Sequence, residues 1–380
     1  MVSGGWRIGR IGGVEVRVDS SLLLIAALIT FNLWISFAQR FPLLSSGGAV
    51  GLAMVTAVLF FASILIHELA HAGMSRVRRI PVLGITLWMF GGATHAKVEA
   101  RGPADEFLIT VVGPLSSAAL GLGFRLVGGA EALGRPVAFM FAYLGAINLI
   151  LAAFNILPGF PLDGGRLLRS GLWKLLGNLS RATRIAARVG QAVALLIVAY
   201  GLFLAIDREA LIVGLWPALI GWFLFRAASE SLAEEARRGR LRATKAANVM
   251  SPPPPTVPGD LSVGSALDRY LVGHEGEAFP VVEHGRVVGF VSSESARKHD
   301  PGRPVRDALI LGVEGAVQAQ PQDGLDEVLD RMGEQRGRMV LRTVLVVDDG
   351  RLVGVIEPED LERELRGRSR APVPPPRPHH

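Results

Sequence analysis

The 380-residue chain contains no cysteine, so disulfides are excluded and a bound metal would need nitrogen and oxygen donors. Aromatic residues are sparse at 7%, and charged residues reach only 19% against 50% hydrophobic. The shortage of charge is concentrated in residues 1–226, where long apolar runs call for lipid rather than water as solvent. Residues 227–380 have an ordinary soluble composition. The net charge of +6 comes mainly from basic residues in short segments beside apolar runs. That placement points to a membrane surface and not to nucleic acid as partner. No small-residue cleavage site follows the first apolar run, which reads as a retained anchor.

A helix crosses the hydrocarbon core with about 20 mostly apolar residues, and candidates fall near 21–38, 50–74, 104–127, 137–157, 189–206 and 210–226. Placing the amino terminus in the cytoplasm puts Arg76, Arg78 and Arg79 inside. Arg166, Arg169, Lys174, Arg181, Arg184, Arg188 and the basic group from Arg226 onward follow on that side. Outside segments keep only Arg40, Arg125, Arg135 and Arg208, as the positive-inside rule requires. Between the second and third candidates, 81–98 alternates, is rich in β-formers and carries a Gly91-Gly92 turn signal, which predicts a β-hairpin. Strand edges cannot face lipid, so this hairpin must be covered by protein or line a wet cavity.

The expected fold class is therefore a polytopic α-helical membrane protein of about six spans with a β-hairpin, followed by a soluble α/β module. The membrane domain covers 1–226, and 227–245 is a charged helical linker. The segments FPVVEHGRVVGF and VLVVDDGRLVGV align without a gap and mark an internal duplication with halves near 246–299 and 304–366. The proline-rich tail 367–380 reads as disordered.

The strongest chemical signal is His67-Glu68-Leu69-Ala70-His71 in the second apolar run. Positions i and i+4 share a helix face, so both imidazoles can bind one ion, and Glu68 lies beside it to take a proton from water. Ionisable groups inside a membrane segment are costly and mark function by default. His71 precedes Arg76 by five residues, roughly 7–8 Å along a helix, which puts the site within the bilayer near its cytoplasmic face. Two imidazoles and a water leave zinc one ligand short. Candidates for that ligand are His95, Glu99, Asp105, Glu106 and Asp163. Asp163 stands out because Pro158, Gly159, Pro161, Gly164 and Gly165 around it break the helix, which membrane proteins tolerate where a cavity is lined. The same residues are also ordinary turn chemistry.

HELAH together with the later N-x-L-P-x-x-P-L-D-G-G (Asn155 to Gly165) resembles the site-2 protease family of intramembrane metalloproteases. The resemblance covers roughly residues 1–230. It implies one Zn2+ on His67, His71 and Asp163, with Glu68 as catalytic base and Asn155 positioning substrate or oxyanion. The family's hairpin corresponds to 81–98, so Gly91 and Gly92 would lie where an extended substrate strand is received. Substrates would be single-pass membrane proteins, such as an anti-sigma or sigma-factor precursor or a signal-peptide remnant. The duplicated module resembles a pair of CBS (cystathionine-β-synthase) domains. Such pairs regulate, can form homodimers and often bind adenine nucleotides, with an aspartate matched here by Asp360. The equivalent residue of the first half is Ser295, and Glu357 replaces the usual Ser/Thr, so at most one nucleotide site is expected. The implied location is the cell membrane, with the amino terminus and CBS pair cytoplasmic. CBS pairs also control transporters, so a CBS-regulated ion transporter is the rival reading. It would require a second matched helix break, and none is visible among the spans.

Overall fold

The computed structural model describes residues 5–89, 91–96, 100–130, 132–207, 211–275, 277–312, 316–335 and 343–365. It divides into two units, Met1–Glu235 and Ala236–His380. The first opens on two strands, β1 (Trp6–Ile11) and β2 (Val14–Val18), joined at Gly12-Gly13. Both glycines have positive φ, 55° and 80°, the backbone a tight hairpin turn demands. In β2, Val14, Val16 and Val18 are buried while Arg17 Nε donates to Glu15 Oε1 at 2.7 Å on the other face.

Helix α1 (Ser20–Arg40) starts at an Asp19 cap, and α2 (Ser46–Val77) starts at a Ser45 cap. Strands β3 (Val82–Trp88) and β4 (Gly91–Ala96) follow. β3 runs parallel to β2 and antiparallel to β4, giving the order β1-β2-β3-β4. The hairpin expected at 81–98 is present within a larger sheet. One detail differs: Gly91 pairs with Trp88 and Gly92 with Leu87, so both glycines lie inside β4 rather than in its turn. Space decides this, because a side chain at Gly92 would run into Glu68 of α2. Val14, Val18, Ile85 and Leu87 of the sheet pack against Leu22 of α1 and Ala72 of α2.

Helices α3 (Pro103–Gly128), α4 (Arg135–Ile156), α5 (Asp163–Leu176), α6 (Leu179–Asp207) and α7 (Leu211–Ala243) complete this part of the chain. Among the described residues, α1, α2, α3, α4 and α6 are long and apolar enough to cross a membrane. Their outward side chains would be anomalous in water: Leu126, Leu196 and Ile206 stand largely exposed, as lipid-facing residues do. Glycines let the backbones meet, Gly121 against Gly145 and Gly201 against Gly214, the small-residue packing of membrane helices. The sixth expected span begins within 208–210, outside the described residues, and continues as the apolar start of α7. The charged segment after Arg226 extends the same helix.

The second unit contains α8 (Ala246–Val249), β5 (Val257–Pro258), α9 (Val263–Ala266), β6 (Ala278–Glu283), β7 (Arg286–Ser292), α10 (Ser293–Ala296) and β8 (Leu311–Gly312). It continues with β9 (Gln318–Ala319), α11 (Leu325–Gln335), β10 (Val344–Asp348), β11 (Arg351–Ile356) and α12 (Pro358–Leu365). The duplication is visible in detail. β6–β7 and β10–β11 turn through His284-Gly285 and Asp349-Gly350, all with positive φ. Each hairpin carries a register shift at the equivalent point, Val281/Val282 and Val346/Val347. Each first strand also pairs in parallel with a short strand, β5 or β9. Val287 and Phe290 of one half join Leu345 and Val355 of the other in a shared core. The proline-rich tail 367–380 lies outside the described residues.

Candidate metal centre

One turn of α2 brings His67 and His71 onto a common face, both about 5% exposed. Asp163 reaches them from the first turn of α5. The loop ahead of it is packed backbone on backbone. A Cβ at Gly164 would strike the Ile156 and Leu157 carbonyls, one at Gly165 would strike Gly159, and one at Gly159 would strike Gly190 of α6. The glycines beside Asp163 are thus required by close approach, beyond any need to end a helix.

His67 Nε2 and His71 Nε2 lie 3.1 and 3.2 Å from Asp163 Oδ2 and 3.2 Å from each other. The opposite ring nitrogens are both engaged by α3: His67 Nδ1 lies 2.9 Å from Ser117 Oγ and His71 Nδ1 lies 2.7 Å from the Ile109 carbonyl. A carbonyl only accepts, so His71 carries its proton on Nδ1 and turns the Nε2 lone pair inward. With Ser117 Oγ accepting from His67 Nδ1 in the same way, both Nε2 lone pairs would face the centre of the triangle, an arrangement that a cation stabilises. Tetrahedral zinc with bonds of about 2.0–2.1 Å has ligand–ligand edges of about 3.3–3.4 Å. The three observed edges fall within about 0.3 Å of that, and among the described residues this is the cluster able to hold a metal ion. Nitrogen, nitrogen and carboxylate oxygen suit zinc, so the residues present fit the group.

Gly113 sits between Ile109 and Ser117 on one face of α3, where any Cβ would collide with the His71 ring and stand 2.8 Å from His67 Nε2. Glu68, 8% exposed, is held separately: Thr94 of β4 donates its hydroxyl to Glu68 Oε2 at 2.7 Å.

Two of the other carboxylates considered as ligands, Asp105 and Glu106, are paired elsewhere. Arg78 Nε donates to Asp105 Oδ1 at 2.6 Å. Arg169 Nε donates to the fully buried Glu106 Oε1 at 2.7 Å, with Arg166 Nε 3.9 Å away. Both acids open α3, where the helix dipole favours negative charge, and they tie α3 to α2 and α5. Glu99 and the His95 side chain lie outside the described residues. Asn155, half-buried and the penultimate residue of α4, donates its amide to the Leu151 carbonyl at 3.1 Å. Sequence reasoning missed Thr94, Ile109, Gly113 and Ser117, as well as the fully buried Asn148, whose amide reaches Ser63 Oγ at 3.3 Å.

In the second unit Asp360 is 5% exposed. Its carboxylate accepts from the Glu357 N–H at 3.2 Å and from Ser251 Oγ at 3.2 Å. Ser295 of the first half accepts from the Ser292 N–H at 3.1 Å in the same capping position. Burial, followed by the charges of Asp360, Glu359 and Glu277, pushes the Glu357 carboxyl above its usual range.

Fold and site together describe a protein with membrane-spanning helices and a buried cluster of two histidines and one carboxylate that could hold a metal ion. Comparison with known proteins is specific. The model of Peptidase family M50 matches residues 129–197, a stretch that holds Asn155 and Asp163, and the CBS domain model matches 246–302 and 314–367. Rip3 of Mycobacterium tuberculosis, described as a "putative zinc metalloprotease", is 35% identical over 373 residues, spanning 94% of this chain and 91% of its own. Zinc metalloprotease MJ0392 of Methanocaldococcus jannaschii is 31% identical over 312 residues, 81% of this chain and 84% of its own. A solved site-2 protease from Methanocaldococcus jannaschii aligns at 25% identity over 60% of this chain and 95% of its own, with a TM-score of 0.43. The chain belongs to the M50, or site-2 protease, family of zinc metalloproteases and carries a C-terminal CBS pair. That membership sets the ion-transporter alternative aside.

Proposed function

We propose that the protein is an intramembrane zinc endopeptidase that cuts single-pass membrane proteins near the cytoplasmic face of the cell membrane. The observation that carries this reading is the triangle of His67 Nε2, His71 Nε2 and Asp163 Oδ2, with the Glu68 carboxylate held beside it. A zinc ion on those three atoms would polarise the scissile carbonyl and acidify the attacking water. Glu68 takes the proton from that water and delivers it to the leaving amine. Ser117 and the Ile109 carbonyl keep the two rings turned so that their Nε2 atoms face the reaction. Asn155 is assigned to the developing oxyanion, at the very end of α4 where the helix breaks before Asp163.

The substrate must be unwound before it is cut, and β4, the last strand of its sheet, offers an edge to an extended segment. Gly91 has open space where a side chain would stand, which suits close approach of that strand. The basic segments flanking the apolar helices favour a cytoplasmic amino terminus and CBS pair. Membrane-tethered sigma-factor or anti-sigma precursors and signal-peptide remnants have the required single-span form. The CBS pair is assigned to regulation and homodimer formation. Adenine-nucleotide binding at Asp360 draws little support, since that carboxylate serves as a helix cap among other acidic groups.

Metal content of the purified chain tests the core of the proposal. About one zinc per chain, lost in His67→Ala and Asp163→Ala and kept in Glu68→Gln without cleavage, is expected. A Glu68→Gln variant cleaving at the wild-type rate would rule out this mechanism.

A further inference from the structure

A glutamate acting as base must hold one oxygen toward the attacking water, yet its side chain turns freely about three bonds. In this protein the restraint comes from outside the helix that bears it. Thr94 Oγ1 lies 2.7 Å from Glu68 Oε2 and 3.3 Å from the Glu68 carbonyl oxygen. Two residues earlier on the same strand, and so on the same face, Gly92 passes so close that a Cβ would collide with the Glu68 stem. Thr94 is fixed in turn by pairing with Ile85, which is fully buried.

We infer that Thr94 is the positioning residue for Glu68: its hydroxyl engages Oε2, leaves Oε1 as the working base, and ties the aim of the base to strand β4. The inference rests on the protease reading and deepens it. The strand whose edge would receive substrate is the strand that orients the base, so disturbing β4 disturbs catalysis as well as binding. Only a hydroxyl at position 94 serves. Valine would keep the branched shape that suits a strand but would leave the carboxylate without its donor. Serine would keep the donor.

The test uses the full chain in detergent micelles, with a fluorescent single-span polypeptide carrying a Gly-Pro break as probe. Thr94→Val is expected to hold zinc at the wild-type level and to lose about 10- to 100-fold in kcat, with KM within about twofold, while Thr94→Ser stays within about threefold of wild type. A second measurement needs no activity. On the metal-free chain, melting temperatures of Thr94→Val, Glu68→Gln and the double variant should be non-additive, the double falling no further than the worse single. Wild-type kcat in Thr94→Val, equal losses in Val and Ser variants, or additive melting shifts would each overturn the Thr94 assignment and leave the protease reading standing. A wild-type chain that binds zinc and cleaves nothing would sink both.

Discussion

Gly113 offers a demanding test, because it contributes to the metal centre only by lacking a side chain. Replacing it with alanine adds one methyl group to the middle of α3, which in a helix elsewhere stabilises by roughly 0.5–1 kcal/mol. Here the methyl would stand 2.8 Å from His67 Nε2 and closer still to the His71 ring, whereas ordinary contact begins near 3.4 Å. The His67 ring would have to withdraw by about 0.6 Å and the His71 ring by more. Metal sites tolerate ligand displacements of only about 0.2 Å. Losing a supporting contact beyond the ligands costs about 10- to 100-fold in metal affinity, and direct displacement of two ligands should cost at least the upper figure, ~3 kcal/mol. The assay is zinc content after dialysis against a graded chelator, alongside far-ultraviolet circular dichroism to verify the helices. Gly123→Ala is the control, since it lies on the same helix with nothing within 4 Å of an added Cβ. It should keep its zinc. Gly113→Ala retaining zinc at wild-type affinity would refute the close packing of α3 on the histidines.

Further expectations follow from the same contacts. Ser117→Ala removes the partner of His67 Nδ1 and should weaken zinc binding by about 10- to 100-fold in a chelator competition, with Ser117→Thr restoring part of it. Arg169→Met leaves the fully buried Glu106 with only Arg166 at 3.9 Å and should destabilise the membrane unit by up to about 3 kcal/mol in denaturant unfolding. Arg78→Met at the more exposed Asp105 pair should cost no more than about 1 kcal/mol. Asp360→Ala removes the cap partner of Glu357 and should lower the stability of the CBS unit by about 1 kcal/mol in thermal unfolding. ATP or AMP should not shift that transition in the wild-type chain, and a clear shift that is lost in Asp360→Ala would show that Asp360 has a ligand.

The histidines, Glu68 and Asp163 were legible in sequence because their chemistry is conspicuous against an apolar background. The helix that organises them was not. Ile109 contributes a backbone carbonyl, Gly113 an empty space and Ser117 a hydroxyl of a kind common in membrane helices, and none of these differs in sequence from routine packing. Asp105 and Glu106 were plausible ligands by residue type, and only the positions of Arg78 and Arg169 removed them. Alternation revealed the 81–98 hairpin, but its glycines are paired within β4, and Gly92 answers to Glu68 on α2 rather than to chain reversal. The amino-terminal hairpin went unread although Gly12-Gly13 is a local turn signal, whereas the pairing of β2 with β3 across more than sixty residues is a relation no local pattern records. The duplicated CBS halves were the opposite case. Their turns and register shifts recur at matching positions, so one gapless alignment captured the arrangement.

The separation of the three metal-binding side chains along the chain has a consequence for biosynthesis. His67 and Asp163 are 96 positions apart, and the helix that turns the imidazoles inward lies between them. A nascent chain that extends only as far as α4 carries both histidines and lacks Asp163. Its Glu68 is already in place, but the third metal donor is not. The set of three donors is therefore complete only once the segment beyond α4 has folded back onto α2.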